Sequence, residues 1–422
     1  MKTGRVELIT IGDELLLGFT IDTNAAHIAR ALGEIGWELV RRATVGDRPD
    51  EIASAVGEAL ARTGGVITTG GLGPTADDLT KASIARLFGR AMLLDETVLQ
   101  QIEERWERLF PGRHFPAPNR AQAELPEGAR ILVNRHGSAP GIWMEDPEER
   151  WVAMLPGVPR EMRGMLAEEL LPILRSGSDD RIVLSKTLRT TGIGESAIAE
   201  ILGNDPFGVV PSELPLSLAY LPSPLGVDLR MTVRRARRAA AEKALQSAAM
   251  KLREHVAPYM YGEDDADLAA VVLELCRARK LSIAVAESCT GGMLGQRLTA
   301  VPGSSDVFRG GVIAYHDEVK QQLLDVASAT LEERGAVSVE TAGEMARAAR
   351  KKLGAGAGMA ITGVAGPGGG TTAKPVGTVC IAIDTDARRT AKAYRLIGDR
   401  EEIRQRSVQA ALDMLRRALQ GV

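Results

Sequence analysis

The stretch "RVELITIGDELLLGFTIDTNAAHIARALGEIGWELVRRATV", Arg5 to Val45, decides the fold. "RVELITIG" is an apolar run of strand length that ends in an acidic loop. "DTNAAHIARALGEIG" spaces its apolar residues as a helix does, with Asp22 or Thr23 near the N-cap and Gly36 past the end. "WELVRRATVG" predicts a second strand. Beyond it, "PDEIASAVGEALART" predicts a helix opened by Pro49, and "GGVITTGG" a third strand. Strand and helix in strict alternation imply right-handed crossovers on a mainly parallel sheet. Two long helical patterns come next. "RILVNRHGSAPGIWMEDPEERWVAML" then reads as strands joined by turns, and "PGVPREMRGMLAEELLPILR" as a closing helix.

A chain of 422 residues is too long for one ordinary core. The pattern divides it into three. Residues 1–175 form the α/β unit just described. "SGSDD", Ser176 to Asp180, marks a boundary, and 178–258 alternates as a small α+β module. "YGEDDAD", Tyr261 to Asp267, reads as a second linker, and 264–422 returns to α/β. The predicted class is therefore α/β: two α/β domains with mainly parallel sheets joined through a small α+β module. The module's element order is compatible with a KH-like domain. Such a domain grips a strand with a GxxG loop, whereas "TTGIGES" offers only GxG at Gly192 and Gly194. The basic run "RRARR", Arg234 to Arg238, reads as a solvated helix start.

Composition narrows the function. A net charge of −3 gives no general attraction to nucleic acid or an anionic membrane, and 4% aromatics leaves little stacking surface. Nucleic acid is not an expected partner. No uncharged run is long enough to span a bilayer, and the N-terminus carries acids where a signal peptide has its apolar core. Cys276, Cys289 and Cys380 lie far apart and match no zinc spacing, which fits a reduced, cytoplasmic setting.

"VITTGGLGPTADDLT", Val66 to Thr80, is the first chemical candidate. Gly70, Gly71 and Gly73 would let backbone approach a ligand, and the amides of the following helix favour an anion. The alternative is a tight turn with Asp77 and Asp78 as helix caps. If phosphate binds beside those two carboxylates, a divalent cation must lie between them. "IGDELLLGFTIDTN" adds Asp13, Glu14, Asp22 and Asn24, and "APNRAQ" adds Asn119, Arg120 and Gln122. "LPGVPREM" offers Arg160 and Glu161.

"AESCTGG", Ala286 to Gly292, is the second. A strand ends at Glu287–Ser288 and a helix is expected to start at once, so Ser288 and Thr290 either cap it or flank an oxyanion site. "GGVIAYHDEVKQQLL" adds Tyr315, His316 and Lys320. If the two strands are neighbours, Ser288 can pair with Lys320 for acyl transfer. Cys289 with His316 is the rival pairing, and residue spacing does not choose between them. "ITGVAGPGGG" brings Gly363 and Gly366, and "GDREEIRQ" brings Arg400 and Arg404.

Taken in order, "TIGDELLLG…DTN", "TTGGLGPTADDLT", "MLPGVPREM", "AESCTGG", "GGVIAYHDEVK", "ITGVAGPGGG" and "GDREEIRQ" resemble the CinA family over nearly the whole chain. The resemblance implies an N-terminal domain similar to the molybdopterin-binding fold. It also implies a C-terminal domain similar to nicotinamide mononucleotide deamidases. For the latter it implies hydrolysis of nicotinamide mononucleotide to nicotinate mononucleotide and ammonia. Ser288 would be nucleophile, Lys320 general base and Tyr315 an assisting group. Cys289, Thr290, Gly291, Gly363, Gly366 and Arg404 would line the substrate. For the N-terminal domain it implies ADP-ribose hydrolysis to AMP and ribose 5-phosphate with Mg, Mn or Co. Asp77 and Asp78 would lie on the metal side, and Gly70, Gly71, Gly73, Thr75, Asn24, Asn119 and Arg120 around the nucleotide. The deamidase needs no cofactor. Family members often carry Ser or Thr and then Asn after the tyrosine, where this chain has His316 and Asp317. A homodimer is expected. The alternatives are a deamidase with a nucleotide-sensing, non-catalytic N-terminal domain, or a competence-associated binding protein.

Overall fold

The computed structural model describes residues 4–175, 181–207 and 214–421. The boundary expected at Ser176–Asp180 lies outside the described residues. The chain folds as two compact units. The first is built on residues up to 184 with 233–243, and the second on most of the remaining chain.

The first unit carries strands β1 (Arg5–Ile11), β2 (Glu38–Val45), β3 (Gly65–Thr69), β4 (Met92–Leu94), β5 (Glu124–Pro126), β6 (Arg130–Leu132), β7 (Gly141–Glu145) and β8 (Trp151–Leu155). Six of them form a sheet in the order β2-β1-β3-β8-β7-β6. The first four strands of that order run parallel, and β7 and β6 antiparallel. Alternate side chains divide between two cores. Ile9, Ile11, Val66, Val152 and Met154 pack on one face, and Leu8, Ile67, Ala153 and Leu155 on the other. Trp151 lies between Trp143, stacked at 4.6 Å, and Trp37, edge-on at 5.7 Å. Glu7 is buried in β1, and Arg62 satisfies both its oxygens at 2.8 and 2.9 Å. The helices at Thr23–Glu34 and Pro49–Thr63 stand where the pattern predicts them, and Asp22 caps the first by accepting from Ala25 N. The helical patterns after β3 become Thr80–Leu87 and Glu96–Leu109, separated by β4. β4 pairs with β5 in a small ladder of three-residue strands, too short to leave a periodic signal.

The module's strands are β9 (Arg181–Thr190), β10 (Leu216–Ser223), β11 (Gly226–Arg237) and β12 (Met260–Glu263), in the order β10-β11-β9-β12. Tyr261–Glu263 is thus strand rather than linker, because Met260–Glu263 pairs antiparallel with β9. Helices run over Glu195–Leu202 and Arg238–Val256. Within the basic run, Arg235 pairs with Glu38 at 3.1 Å and Arg238 donates to Glu34 O at 2.7 Å.

The C-terminal sheet holds β13 (Ile283–Glu287), β14 (Phe308–Ile313), β15 (Ala357–Gly363), β16 (Thr378–Thr385) and β17 (Arg389–Arg395), in the order β14-β13-β15-β16-β17. β14, β13 and β15 are parallel, and the last two strands antiparallel. Ile283, Val285, Met359, Ile361 and Ile381 face the helices Leu268–Ala278 and Arg400–Gln420. The opposite face is alanine-rich, with Ala284, Ala286, Ala360 and Ala382 against the helix Val339–Lys352. The approach is so close that a Cβ on Gly358 would lie 2.0 Å from Ala346 O.

Candidate active sites

In the first unit β1 is flanked by β2 and β3, so the loops leaving β1 and β3 diverge at the strands' C-terminal ends. Open α/β sheets bind ligands in that crevice. A cavity of about 500 Å³ lies there, lined by both loops, by Asn24 and Gln122, and by the 156–159 turn. Gly70 and Gly71 adopt left-handed φ of 103° and 65°. A Cβ on Gly70 would meet Ile11 O at 2.1 Å, and one on Gly71 would meet Thr80 Oγ1 at 2.0 Å. Thr80 Oγ1 itself closes the loop by donating to Gly70 O.

Asp78 ties this loop together. Its oxygens accept from Gly73 N at 2.7 Å, Thr75 N at 2.8 Å and the Thr75 hydroxyl. This corrects one expectation. Asp78 does not cap the next helix, whose N-cap is Leu79; its carboxylate holds the loop instead. Thr75 serves as its partner and is not among the cavity's lining residues. Asp77 is exposed at the cavity.

Asn119 and Arg120 do not line the cavity either. They sit on a 3-10 turn, Ala117–Ala123, where Arg120 reaches toward Glu96 at 3.9 Å. Gln122, one turn beyond Asn119, lines the cavity instead. Asn24 and Gln122 are 7% and 4% exposed, and Asn24 Oδ1 and Gln122 Oε1 have no hydrogen-bond partner among the described residues. Asn24 is fixed by its donation to Gly157 O at 2.7 Å. Glu14, Asp22, Asp47, Asp77, Asp78 and Glu161 line the same cavity, and among the described residues no Lys or Arg does. Asp22, Asp47, Asp78 and Glu161 accept hydrogen bonds from neighbouring protein groups. No group of three or more His, Cys, Asp or Glu among the described residues is set to hold a metal ion by itself. Hard carboxylate oxygens fit a Mg-type cation that one or two protein carboxylates and a phosphate ligand hold together, and Asp77 and Glu14 both line this cavity. Lys81 is buried nearby with Nζ donating to Ala121 O at 2.7 Å, and burial lowers its pKa to about 8.

In the C-terminal domain β13 and β14 are parallel neighbours in register Glu287↔Ile313. Ser288 therefore emerges beside Ala314 and Tyr315, and Ala314 N donates to Glu287 O at 2.8 Å. Lys320, 1% exposed, projects from the helix Asp317–Leu324. Its Nζ donates to Tyr315 O at 3.2 Å and to Asp317 Oδ1 at 3.0 Å. The register thus sets Ser288 next to Ala314, and Lys320 Nζ is bonded to the carbonyl of the residue that follows Ala314.

The helix expected to begin at Cys289 begins at Met293. Gly291 and Gly292, with φ of 58° and 95°, make an intervening left-handed turn. Neither Ser288 nor Thr290 caps that helix. Glu287 does: it is 1% exposed, and its carboxylate accepts from Gly292 N, Leu294 N and Gly295 N at 3.0, 3.0 and 2.8 Å. No backbone carbonyl among the described residues accepts the Cys289 or Thr290 amide. Thr290 Oγ1 is buried without a partner among the described residues.

Arg404 Nη2 donates to Thr290 O at 2.8 Å. Arg400 Nη2 donates to the Tyr315 hydroxyl at 2.9 Å, and its Nη1 to Gly366 O. Arg400 thereby joins the Tyr315 and Gly366 loops. Gly363 and Gly366 are needed for packing, since a Cβ would lie 2.8 Å from Thr378 O in one case and 2.6 Å from Val376 Cγ1 in the other. Cys289 is 6% exposed, and burial pushes its pKa up to about 12. The His316 side chain is 74% exposed, and its Nδ1 accepts from Glu318 N at the helix start.

The first unit thus has the architecture of molybdopterin-binding-type α/β domains, and the sequence comparisons agree. The probable molybdopterin binding domain profile matches residues 7–176. The damage-inducible protein CinA KH domain matches 185–262, and the CinA C-terminal domain matches 265–419. The CinA-like protein of Gemmatimonas aurantiaca is 56% identical over 98% of this chain and 96% of its own. The putative competence-damage inducible protein of Caldicellulosiruptor bescii is 41% identical over 98% of each. The chain belongs to the CinA family. Among solved structures, the competence/damage inducible protein CihA from Agrobacterium tumefaciens is 39% identical over 36% of this chain and 93% of that one, with a TM-score of 0.35. No described helix is long and apolar enough to cross a membrane.

Proposed function

We propose that the C-terminal domain is a nicotinamide mononucleotide deamidase with Ser288 as nucleophile. The observation that carries this reading is Ser288 at the end of β13, with the Tyr315–Lys320 segment on one side and, on the other, the Cys289 and Thr290 amides, which no backbone carbonyl among the described residues accepts. Ser288 Oγ attacks the carboxamide carbon and passes its proton to Lys320 Nζ in its neutral form. The oxyanion takes the free turn amides. Lys320 returns the proton to the departing ammonia, and water then cleaves the acyl ester. Arg400 and Arg404 supply positive charge for the substrate phosphate. The Cys289–His316 alternative is disfavoured because the thiol is buried with a raised pKa, while the imidazole is exposed and engaged at the helix start. Ammonia release from nicotinamide mononucleotide tests the assignment. Ser288→Ala is expected to abolish it, and Cys289→Ala to retain it. The reverse pattern overturns the serine mechanism, and no release by the wild type overturns the activity.

We further propose that the N-terminal domain hydrolyses ADP-ribose to AMP and ribose 5-phosphate with Mg, Mn or Co. Two orphaned acceptors, Asn24 Oδ1 and Gln122 Oε1, support a ligand rich in donors, such as ribose hydroxyls or a base amine. The acidic lining supports a cation between protein and pyrophosphate, where it would offset charge. Asp77 and Glu14 would hold it. AMP formation that Asp77→Asn and chelation both abolish is the expected result. ADP-ribose binding without turnover would instead make the domain a sensor. We also propose a homodimer in the cytoplasm, with the exposed Leu17, Phe19 and Ile21 in the contact. A monomeric mass by light scattering would refute the dimer.

A further inference from the structure

Within the second unit, three elements converge on a cavity of about 500 Å³ that belongs to neither proposed active site. The helix Arg400–Gln420 presents Arg406, Gln409, Ala410 and Asp413, one face at helical spacing. β17 and the residue after it present Tyr394 and Leu396. The module closes the other side with its Gly192–Gly194 turn and the β10–β11 hairpin around Leu225.

The wall is mostly apolar, but its floor is not. Gln409 is 3% exposed, and neither Nε2 nor Oε1 of its amide has a hydrogen-bond partner among the described residues. Arg406 Nε beside it is also buried and unpartnered there. Buried amides are nearly always satisfied, so two idle atoms on one side chain at a cavity signal a missing partner. Asp413 does not supply it, because its oxygens are taken by Arg416 and Arg417 at 2.7 Å.

We infer that this cavity is a nucleoside site, with the base inserted so that its edge pairs with Gln409. A primary amide presents a donor and an acceptor side by side, which matches the adjacent donor and acceptor on a nucleobase edge. The Arg406 guanidinium donates to a further ring nitrogen or carbonyl. Leu225 and Leu396 line the cavity and offer apolar contact to a ring, and the volume falls within the range of small-molecule sites. Arg406 and the Glu195 carboxylate both line the cavity, so their charges offset and the site favours an uncharged ligand over a phosphate. This site is independent of both proposed reactions.

A local probe tests it. Ser223 lies at the cavity and is exposed, while the native thiols are buried, so Ser223→Cys provides one reactive label site. Maleimide labelling of the full-length variant is followed with adenosine or with ribose alone. Adenosine at about ten times its Kd leaves about a tenth of sites open and slows labelling about tenfold. Ribose should not slow it. Adding Gln409→Leu or Arg406→Met should abolish protection, each checked for an unchanged melting temperature. The Ser223→Cys protein by itself keeps the test decisive if a double variant fails to fold. No protection by adenosine, equal protection by ribose, or protection that survives both substitutions would each overturn the inference.

Discussion

Glu287 offers the sharpest test of how the serine loop is built. Its buried carboxylate takes three backbone amides at the start of the helix Met293–Thr299. Hydrogen bonds to a charged acceptor are worth about 1.5–3 kcal/mol each, which gives a ceiling of roughly 4–9 kcal/mol for the three. Glu287→Gln keeps an oxygen for the pair of amides that Oε2 serves but turns an NH2 toward Gly295 N. It should therefore lose about one such bond, or about 2–3 kcal/mol. Glu287→Ala strands all three donors, and partial access of water to Gly292 should limit the loss to about 4–6 kcal/mol. In a unit of this size each kcal/mol moves the melting temperature by about 2–4 °C. Calorimetry of the second unit's transition should order the proteins wild type, Gln, Ala, with Gln about 4–12 °C below wild type. The ammonia release proposed for this domain should fall as well, because the Ser288 turn is anchored at the same residue. If Glu287→Gln melts within about 1 °C of wild type and Ala does too, the capping argument is wrong.

Three more expectations concern charge, backbone and thiols. Lys81 has its pKa lowered by burial from 10.5 to about 8, so the unfolded chain binds the extra proton between those values. Stability should then rise with pH across that window, and the difference between wild type and Lys81→Met should change by up to about 3 kcal/mol in denaturant titrations. Gly71→Ala must place a Cβ 2.0 Å from Thr80 Oγ1 at a left-handed φ. It should cost about 2–5 kcal/mol in chemical denaturation of the first unit and abolish ligand binding there, while ammonia release by the second unit persists. Burial raises the pKa of all three thiols, with Cys276 and Cys289 at about 12. An aromatic disulfide reagent at pH ~8 should therefore find no fast-reacting thiol in the native protein and the full set after denaturation.

The sequence disclosed elements wherever local chemistry sufficed. Apolar runs such as "VITT" and "IAVAE" became buried central strands, and Pro49 and Asp22 opened helices at the expected places. The features it concealed depended on contacts distant in the chain or on direction. Asp78 reads as a helix cap, and only the folded loop shows it holding Gly73 N and Thr75. Asn119 and Gln122 are equally eligible by type, and only the 3-10 turn decides that Gln122 reaches the cavity. Glu287 reads as the polar end of a strand, and its role needs the left-handed turn at Gly291–Gly292 that folds the next helix back over it. Tyr261–Glu263 is polar enough for a linker because an edge strand with solvent beside it needs no apolar run.

The tryptophan stack of the first unit has an optical consequence. Every tryptophan of the chain, at 37, 106, 143 and 151, lies in the first unit, and every tyrosine, at 220, 259, 261, 315 and 394, lies in the second. Excitation at the red edge of the indole band therefore reports on one unit alone, and tyrosine absorbance chiefly on the other. The native chain carries its own pair of spectrally distinct reporters, so the order in which the two units melt, or respond to a nucleotide, can be tracked without attaching a dye.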